Sequence, residues 1–383
     1  MIYIVGAIIT FFLVALLIGK KGRSTADNIL AAWLTVTGFH LILYYLYNTN
    51  QYVQFPFLLG LEIPLPLAHG PFLFLYTAAL TNKRIKASIR LLHFLPILII
   101  YCFVIPFFTL SNEEKIVVYK NEGQGYEMLT GAVLVLIMLS GVAYVLLSLL
   151  LLNKHKKNIS EQFSYSEKIN LNWLRFLIWG TAAIWVCVIF GNDFLIYIFA
   201  VIYIILIGFF GIKQAGIFTS ENLYRNTNHP IPSEENTMES IPEKIALHEK
   251  IETEKPKYQK SGLSSQAAES IHKQLNELMQ QEKIFKNPEL TLAELGEKLN
   301  LNSNYLSQVI NTFEQKNFYD YVNQFRIEEF KHIVSLPENK QFTMLSLAFE
   351  CGFNSKTSFN RNFKRVTGLS PSEFLQQELL ELE

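Results

Sequence analysis

The side chains best suited to molecular recognition stand near the C-terminal end, in the stretch CGFNSKTSFNRNFKRVTG, residues 351–368. Thr357, Arg361 and Lys364 follow one another at i, i+4 and i+7, which places them on one face of a helix, opposite Phe359. Arginine can pair with two acceptors of guanine, and lysine and threonine bind phosphates or bases. The pattern therefore predicts a helix face that contacts double-stranded DNA through Lys356, Thr357, Asn360, Arg361 and Lys364.

A second set of polar side chains lies earlier in the chain. Asn304, Gln308 and Asn311 repeat the same spacing opposite Leu306, and asparagine and glutamine can pair with adenine. This set contains no basic residue, so the ordinary solvent-exposed face of a helix explains it as well as a DNA contact does. We include it, with Tyr305, among the candidate DNA-binding residues because both sets occupy equivalent places in an internal repeat.

The repeat indicates which elements carry the two faces. TLAELGEKLNLNSNYLSQVINTF begins at Thr291, and TMLSLAFECGFNSKTSFNRNFK begins at Thr343. Threonine suits the N-cap of a helix, and Asn300 and Gly352 tolerate the left-handed conformation of a tight turn. Each copy is therefore predicted to be a helix-turn-helix. Within residues 317–336, between the copies, one helix of about 19 residues is predicted, ~28 Å long and close to the ~34 Å between successive major grooves.

Residues 263–375, about the last third of the chain, resemble the DNA-binding domain of AraC-type transcription regulators. The motifs that carry the resemblance are Gly352-Phe353, Phe359-Asn360-Arg361-Asn362-Phe363-Lys364 and Gly368-Leu369-Ser370-Pro371-Ser372-Glu373-Phe374. The resemblance implies seven helices, with two helix-turn-helix motifs on one long connecting helix. The sequence departs from the family pattern at Asn300, where glycine is common, and at Phe330, where the connecting helix often has alanine.

The first half of the chain is mostly apolar, and about 20 apolar residues in a helix cross ~30 Å of hydrocarbon. We predict seven membrane spans: Met1–Gly19, Asn28–Tyr47, Phe57–Leu80, Leu91–Leu110, Met128–Leu152, Phe176–Asn192 and Phe194–Ile212. The expected fold is therefore all-α, a polytopic membrane helix bundle of seven spans followed by a C-terminal all-α domain with two helix-turn-helix motifs. The formal net charge of zero gives no global attraction to nucleic acid or to lipid headgroups.

Lysine and arginine indicate how the spans are oriented. The loops after spans one, three, five and seven carry the basic residues, and the intervening loops carry few. We therefore expect a multi-pass protein of the bacterial cytoplasmic (inner) membrane, with its N-terminus outside and its DNA-binding domain in the cytoplasm. The predicted domains are a transmembrane sensor or anchor at residues 1–218, a flexible polar linker at 219–260, and the DNA-binding domain at 261–383.

Two polar residues in the third predicted span, Glu62 and His69, are candidates for sensing. A charged residue within a membrane span costs free energy, so its presence there usually marks a functional site. The two are seven residues apart, so a continuous helix would place both on one face, lining a pocket for a small ligand. The alternative is that Glu62 reaches the membrane interface and His69 hydrogen-bonds a neighbouring helix. A metal site made of His40, His69 and His93 is disfavoured, because no two of them have i, i+4 spacing.

Together these patterns predict a one-component transcription regulator whose membrane bundle responds to an unknown small-molecule or membrane signal. Its expected partners are double-stranded DNA, the lipid bilayer and a second copy of the chain. Coupling could run through dimerisation of the bundle or through proteolytic release of the tail. No cofactor, metal or catalytic motif is predicted, so the chain is not expected to be an enzyme. The alternative is a transporter or membrane enzyme with a regulatory or protein-interaction tail.

Overall fold

The computed structural model describes residues 2–165, 171–190, 193–213 and 264–381, and the predicted linker lies outside these residues. The described residues are largely helical and form no β-sheet, which confirms the all-α prediction. The chain divides into two compact units. Unit 1 comprises Met1–His155 and Leu171–Pro230, and unit 2 comprises Lys156–Asn170 and Ile231–Glu383. The predicted domain boundaries had assigned Lys156–Asn170 to the membrane half.

Unit 1 is built from nine α-helices among its described residues. They are α1 (Ile2–Gly19), α2 (Thr25–Asn48), α3 (Pro66–Leu80), α4 (Ala87–Leu92), α5 (Leu95–Phe108), α6 (Asn112–Lys120), α7 (Glu127–Gln162), α8 (Asn172–Phe190) and α9 (Asp193–Lys213). The last residues of α7 belong to unit 2, so this one helix supplies residues to both units.

Four of these helices, α1, α2, α7 and α8, are long and apolar enough to cross a membrane. A fifth span would result if α5 and α6, which meet at a bend of 110°, were counted as one. Each of the seven predicted spans overlaps a helix, but α3 and α5 have only 15 and 14 residues. Prolines explain the shortening, because Pro64 and Pro66 delay the start of α3 and Pro96 limits α5 to a start at Leu95. The count of seven stays a prediction.

Glycine lets the helices of unit 1 approach closely. A Cβ atom on Gly141 of α7 would lie 2.2 Å from the ring of Trp185 in α8, so only glycine fits there without a shift. The outer surface of this unit carries many large apolar side chains, among them Phe12, Phe103 and Phe176. Soluble domains rarely expose so much apolar surface, and a lipid environment would cover it.

Unit 2 contains seven α-helices in its C-terminal part, within the described residues. They are α10 (Ser265–Gln281), α11 (Leu292–Lys298), α12 (Ser303–Val309), α13 (Phe318–Val334), α14 (Met344–Glu350), α15 (Lys356–Thr367) and α16 (Pro371–Glu381). The pairs α11–α12 and α14–α15 are the two predicted helix-turn-helix motifs, and α13 connects them. Thr291 and Thr343 cap α11 and α14 through their side chains, as predicted.

The two turns have the predicted left-handed backbone. Asn300 has φ = 53° and Gly352 has φ = 96°. Gly352 has a second constraint, because a Cβ atom there would lie 2.6 Å from the carbonyl oxygen of Phe285. Asn300 occupies the equivalent place in the first turn, and asparagine tolerates the left-handed conformation there.

Helix α13 separates two small cores. One lies under α10 to α12 and includes Leu275, Leu295 and Leu306, and the other lies under α14 to α16. Phe330 belongs to the second core, where its ring centroid lies 4.6 Å from that of Phe359 and 5.7 Å from that of Phe363. At this departure from the family pattern, the Phe330 ring therefore fills space in the second core.

Candidate nucleic-acid interface

Helix α15 presents the predicted reading face to solvent. Its five candidate side chains are all exposed and, with Arg365, line an open depression of about 690 Å³: Lys356, Thr357, Asn360, Arg361 and Lys364. Phe359 and Phe363 are buried on the opposite side, which fixes the rotation of the helix. Ser355 caps α15 by accepting a hydrogen bond from the Ser358 amide. The structure therefore brings together all five residues that the sequence predicted for this helix.

Arg361 is positioned by a residue that the sequence did not indicate. Its Nη2 atom donates to the hydroxyl of Tyr319 in α13 at 2.9 Å, and the buried Asn362 amide donates to the same hydroxyl at 2.8 Å. Burial alone would raise the pKa of Tyr319, but hydrogen bonds from Ser358 and Asn362 and the charge of Arg361 lower it. The phenol oxygen thus acts as an acceptor that orients the guanidinium of Arg361 along the reading face.

The neighbouring Arg365 has a structural role instead. It forms an ion pair with Asp320 near the start of α13 and donates to Asn362 Oδ1 at 3.0 Å. Its guanidinium also lies 5.6 Å from the centre of the Tyr319 ring. These contacts join α15 to α13, so the two arginines of α15 are both held by the connecting helix. No spacing rule relates Asp320 or Tyr319 to α15, so neither contact could be predicted from the sequence.

The first reading helix, α12, is shorter than the second. Asn304, Tyr305 and Asn311 are exposed, and Gln308 is half-buried. The α-helix ends at Val309 and a π-helical turn follows, so Asn311 lies in that turn, where its Nδ2 donates to Ser307 Oγ at 3.3 Å. The wider turn moves Asn311 away from the place that it would have, seven residues after Asn304, on a regular α-helix.

A buried arginine stands in the middle of α13. All five N–H groups of Arg326 have an acceptor, and every acceptor is an uncharged oxygen: Phe285 O at 2.8 Å, Ser164 O at 3.1 Å, Asn323 Oδ1 at 3.2 Å, Ser164 Oγ at 3.0 Å and Asn287 O at 2.7 Å. Only 2% of Arg326 is exposed, and burial lowers its pKa to about 10. Within the described residues it forms no ion pair, so these five neutral acceptors are what stabilises its buried positive charge.

Two of those acceptors belong to Ser164, in a segment far from the helix-turn-helix motifs in sequence. This docking segment, Phe163–Tyr165, directly follows α7. Phe163 forms an antiparallel bridge with Thr291, and the Ser164 amide donates to Leu290 O at 3.1 Å. Asn323 Nδ2, also fully buried, donates to Ser164 O at 3.0 Å. All three residues of the segment are buried, and they belong to the same compact unit as the helix-turn-helix motifs.

The two candidate sensing residues occupy different places in unit 1. Because α3 begins at Pro66, Glu62 precedes the helix and does not share a face with His69, contrary to the expectation from spacing. Glu62 lines a cavity of about 430 Å³, where Tyr119 Oη donates to it. His69 instead accepts from Trp33 Nε1 at 3.0 Å and contacts His40 at 3.3 Å, both on α2. The alternative expected for His69, a hydrogen bond to a neighbouring helix, is what the structure contains.

Comparisons with known proteins agree with this geometry. Residues 295–377 match a family described as a helix-turn-helix domain, of the AraC type. This match identifies a C-terminal domain of a sequence-specific DNA-binding transcription regulator, a class that is generally not enzymatic.

No curated protein matches the chain. A solved structure of a protein of unknown function from Listeria innocua is similar to 27% of this chain and 92% of its own, at 24% identity and a TM-score of 0.24. A TM-score this low carries no argument about fold or function.

Proposed function

We propose that this protein is a membrane-bound one-component transcription regulator, in which unit 1 senses a signal and the helix-turn-helix motifs bind a specific DNA sequence. The single observation that carries the proposal is the exposed face of α15, where five side chains able to contact DNA stand together. The match of residues 295–377 to AraC-type helix-turn-helix domains supports the same conclusion.

The residues of α15 have distinct roles in this proposal. Arg361 reads a guanine, because its guanidinium is already oriented by Tyr319. Lys356 and Lys364 bind phosphates near the two ends of the helix, and Thr357 and Asn360 contact bases or sugar between them. In α12, Asn304, Tyr305, Gln308 and Asn311 contribute polar contacts without charge, so we expect the first motif to add less affinity than the second.

The connecting helix supports a two-groove arrangement. The 17 residues of α13 span ~26 Å at 1.5 Å per residue, somewhat less than the ~34 Å between successive major grooves on one side of B-DNA. The proposal requires the placement of α12 and α15 relative to α13 to supply the remaining distance. A single domain would therefore contact two half-elements about one turn apart.

The membrane location rests on the apolar helices. Four of them are long and apolar enough to span a bilayer, and their outer surfaces carry large exposed apolar side chains. The basic loops support our proposal that the helix-turn-helix motifs lie in the cytoplasm of a bacterial cell. A second copy of the chain in the same membrane would raise the effective concentration of the DNA-binding domain at paired sites.

Selection of genomic fragments by the full-length protein in lipid nanodiscs, followed by sequencing, tests the proposal. We expect an enriched motif with two half-elements about 10 base pairs apart. Arg361→Ala should abolish the enrichment, whereas Lys340→Ala, at an exposed lysine outside α15, should preserve it. Failure of the wild-type protein to enrich any motif, or an unchanged motif with Arg361→Ala, would contradict the proposal.

A further inference from the structure

The cavity beside Glu62 has the chemistry of a ligand site. Its volume of about 430 Å³ falls within the range of small-molecule pockets, ~300–1,000 Å³. All of its lining residues belong to unit 1. Five tyrosines form much of its wall: Tyr44, Tyr47, Tyr119, Tyr126 and Tyr197. Apolar side chains such as Val104 and Leu129 complete it.

The charges in the cavity all have one sign. Glu62 and Glu122 line it, and none of the described lining residues is a lysine, arginine or histidine. Both oxygens of Glu62 act as acceptors, one for Tyr119 Oη and the other for the Gly60 amide at 3.1 Å. These two bonds leave acceptor capacity on the carboxylate, so a bound cation could still contact it.

The aromatic wall favours the same class of ligand. Cations are attracted to the faces of aromatic rings, and cages of such rings recognise ammonium groups. The rings of Tyr44 and Tyr197 are stacked at 3.5 Å, and those of Phe107 and Tyr126 meet edge to face at 5.6 Å. We propose that this cavity binds a small organic cation, with an ammonium group near Glu62 and an apolar body against the tyrosines.

A chain of hydrogen bonds connects this cavity to the interior of the bundle. The Trp33 indole can only donate, so His69 Nδ1 accepts and His69 Nε2 carries the proton that reaches His40 Nδ1. His40 Nε2 then donates to Tyr197 Oη at 2.8 Å. The chain fixes the orientation of Tyr197 in the cavity wall, and it gives His69 an indirect part in the site.

Binding to the full-length protein in nanodiscs, without DNA, tests the inference. The probes are 2-phenylethylammonium, butylammonium and tetramethylammonium, and 2-phenylethanol is the neutral match of the first. We expect 2-phenylethylammonium to bind at least tenfold more tightly than the alcohol. Glu62→Gln should weaken its binding at least tenfold, and Glu122→Gln should weaken it less. Glu113→Gln, an exposed carboxylate of α6 outside the cavity, is the matched control and should have no effect.

Equal binding of the ammonium and the alcohol would overturn the inference, as would binding by none of the three cations. Glu122→Gln keeps the test valid if Glu62→Gln fails to fold, because Glu122 is exposed. The inference deepens the sensing role proposed for unit 1 and rests on it. Because binding is measured without DNA, a ligand that binds but leaves transcription unchanged would refute the sensing role and not the site.

The docking segment carries a second, independent inference. It supplies acceptors for three buried N–H groups of α13, two on Arg326 and one on Asn323. It directly follows α7, the helix that supplies residues to both units. The exposed face of α15 remains uncovered while the segment is docked. We infer that docking stabilises the DNA-binding form of α13, and that undocking, driven from α7, lowers DNA affinity.

A cross-link can hold the segment in place. Residues paired across an antiparallel bridge have Cα atoms about 4.5–5.5 Å apart, within the ~4.4–6.8 Å that a disulfide requires. Phe163→Cys with Thr291→Cys should therefore form an intrachain disulfide. The background is Cys102→Ser with Cys187→Ser, and Cys351 can stay because it is buried.

DNA binding by this full-length variant is compared in the oxidised and reduced states, after wild-type binding has been shown on the same DNA. We expect the oxidised form to bind at least as tightly as the reduced form. Ser164→Pro, which removes the amide that donates to Leu290 O, should weaken DNA binding at least fivefold. Loss of DNA binding on oxidation would show that docking inhibits, and full binding by Ser164→Pro would show that docking is irrelevant. Either result overturns the inference without affecting the proposed function.

Discussion

Replacing Ser164 with alanine is the smallest change that tests the docking segment. The hydroxyl of Ser164 accepts from Arg326 Nη2 at 3.0 Å, in a place where both residues are almost completely buried. Alanine fits the same space and keeps the backbone bonds of residue 164 with Leu290, Arg326 and Asn323. The variant therefore removes one acceptor from a buried guanidinium and changes little else.

The expected size of the effect follows from the type of bond. Hydrogen bonds to a charged group contribute about 1.5–3 kcal/mol, and leaving the charged donor buried without a partner has a cost of similar size. All partners of Arg326 among the described residues are neutral oxygens, so none of them is a carboxylate that could replace the lost acceptor. At about 1.4 kcal/mol for each factor of ten, the docking equilibrium should shift toward the undocked form by about 10- to 150-fold.

Amide hydrogen exchange of the full-length protein measures this shift directly. The Ser164 amide is protected by Leu290 O, and alanine retains that amide, so the same probe reports on both proteins. When opening and closing are fast, exchange accelerates by the factor by which the opening equilibrium changes. Ser160→Ala is the matched control, because the Ser160 hydroxyl donates only to Lys157 O within α7.

If the amide of residue 164 exchanged at the same rate in Ser164→Ala as in the wild-type protein, the reasoning would be refuted. It would mean that Arg326 finds another acceptor at no cost, or that the segment is held by Phe163 and the backbone alone. Acceleration in Ser160→Ala of the same size would point to fraying of α7 instead of release from Arg326.

Three further predictions concern unit 2. Lys364→Ala should weaken binding to all DNA sequences alike and reduce the slope of log affinity against log salt by about 0.9, whereas Arg361→Ala should lose about 1–3 kcal/mol on the specific site alone; filter binding at several salt concentrations separates the two. Phe330→Ala should destabilise the second core by about 3–5 kcal/mol, measured by urea unfolding of unit 2, because the ring is fully buried. Burial alone would raise the pKa of Glu329, but Lys283 and Lys286, each 2.8 Å from it, lower that pKa. Its stabilising effect is therefore present above the ordinary glutamate pKa and lost as the pH falls through the folded pKa, a loss that thermal unfolding should show in wild type and not in Glu329→Gln.

Local rules were sufficient to predict the helix-turn-helix motifs. The caps at Thr291 and Thr343 and the left-handed turns at Asn300 and Gly352 depend on a few neighbouring residues, and the repeat states each signal twice. The reading face of α15 followed from helical periodicity in the same way. Periodicity could not show that a π-helical turn begins at Ile310, because it assumes the regular spacing of an α-helix.

Contacts between distant residues were beyond the sequence argument. The spacing of Glu62 and His69 predicted one shared face, but Pro64 and Pro66 displace the start of α3 and send the two side chains to different surroundings. The tyrosines of the cavity come from three separate helices, α2, α6 and α9, and from Tyr126, which directly precedes α7. No spacing rule connects them. Membrane hydropathy is informative about which segments are apolar and uninformative about which of their residues meet.

Arg326 shows most clearly why the sequence could not predict the link to α7. In QFRIEEF the nearest acidic residues are Glu328 and Glu329, and charge alone would pair the arginine with one of them. Neither pairs with it, because Glu328 binds Lys331 and Glu329 binds Lys283 and Lys286 instead. A buried guanidinium that has no carboxylate partner needs hydrogen bonds to neutral acceptors, which can come from residues distant in sequence. The docking segment after α7 provides two of these acceptors, both on Ser164. The inferred DNA-binding form of α13 therefore depends on a segment that directly follows the helix that continues into unit 1.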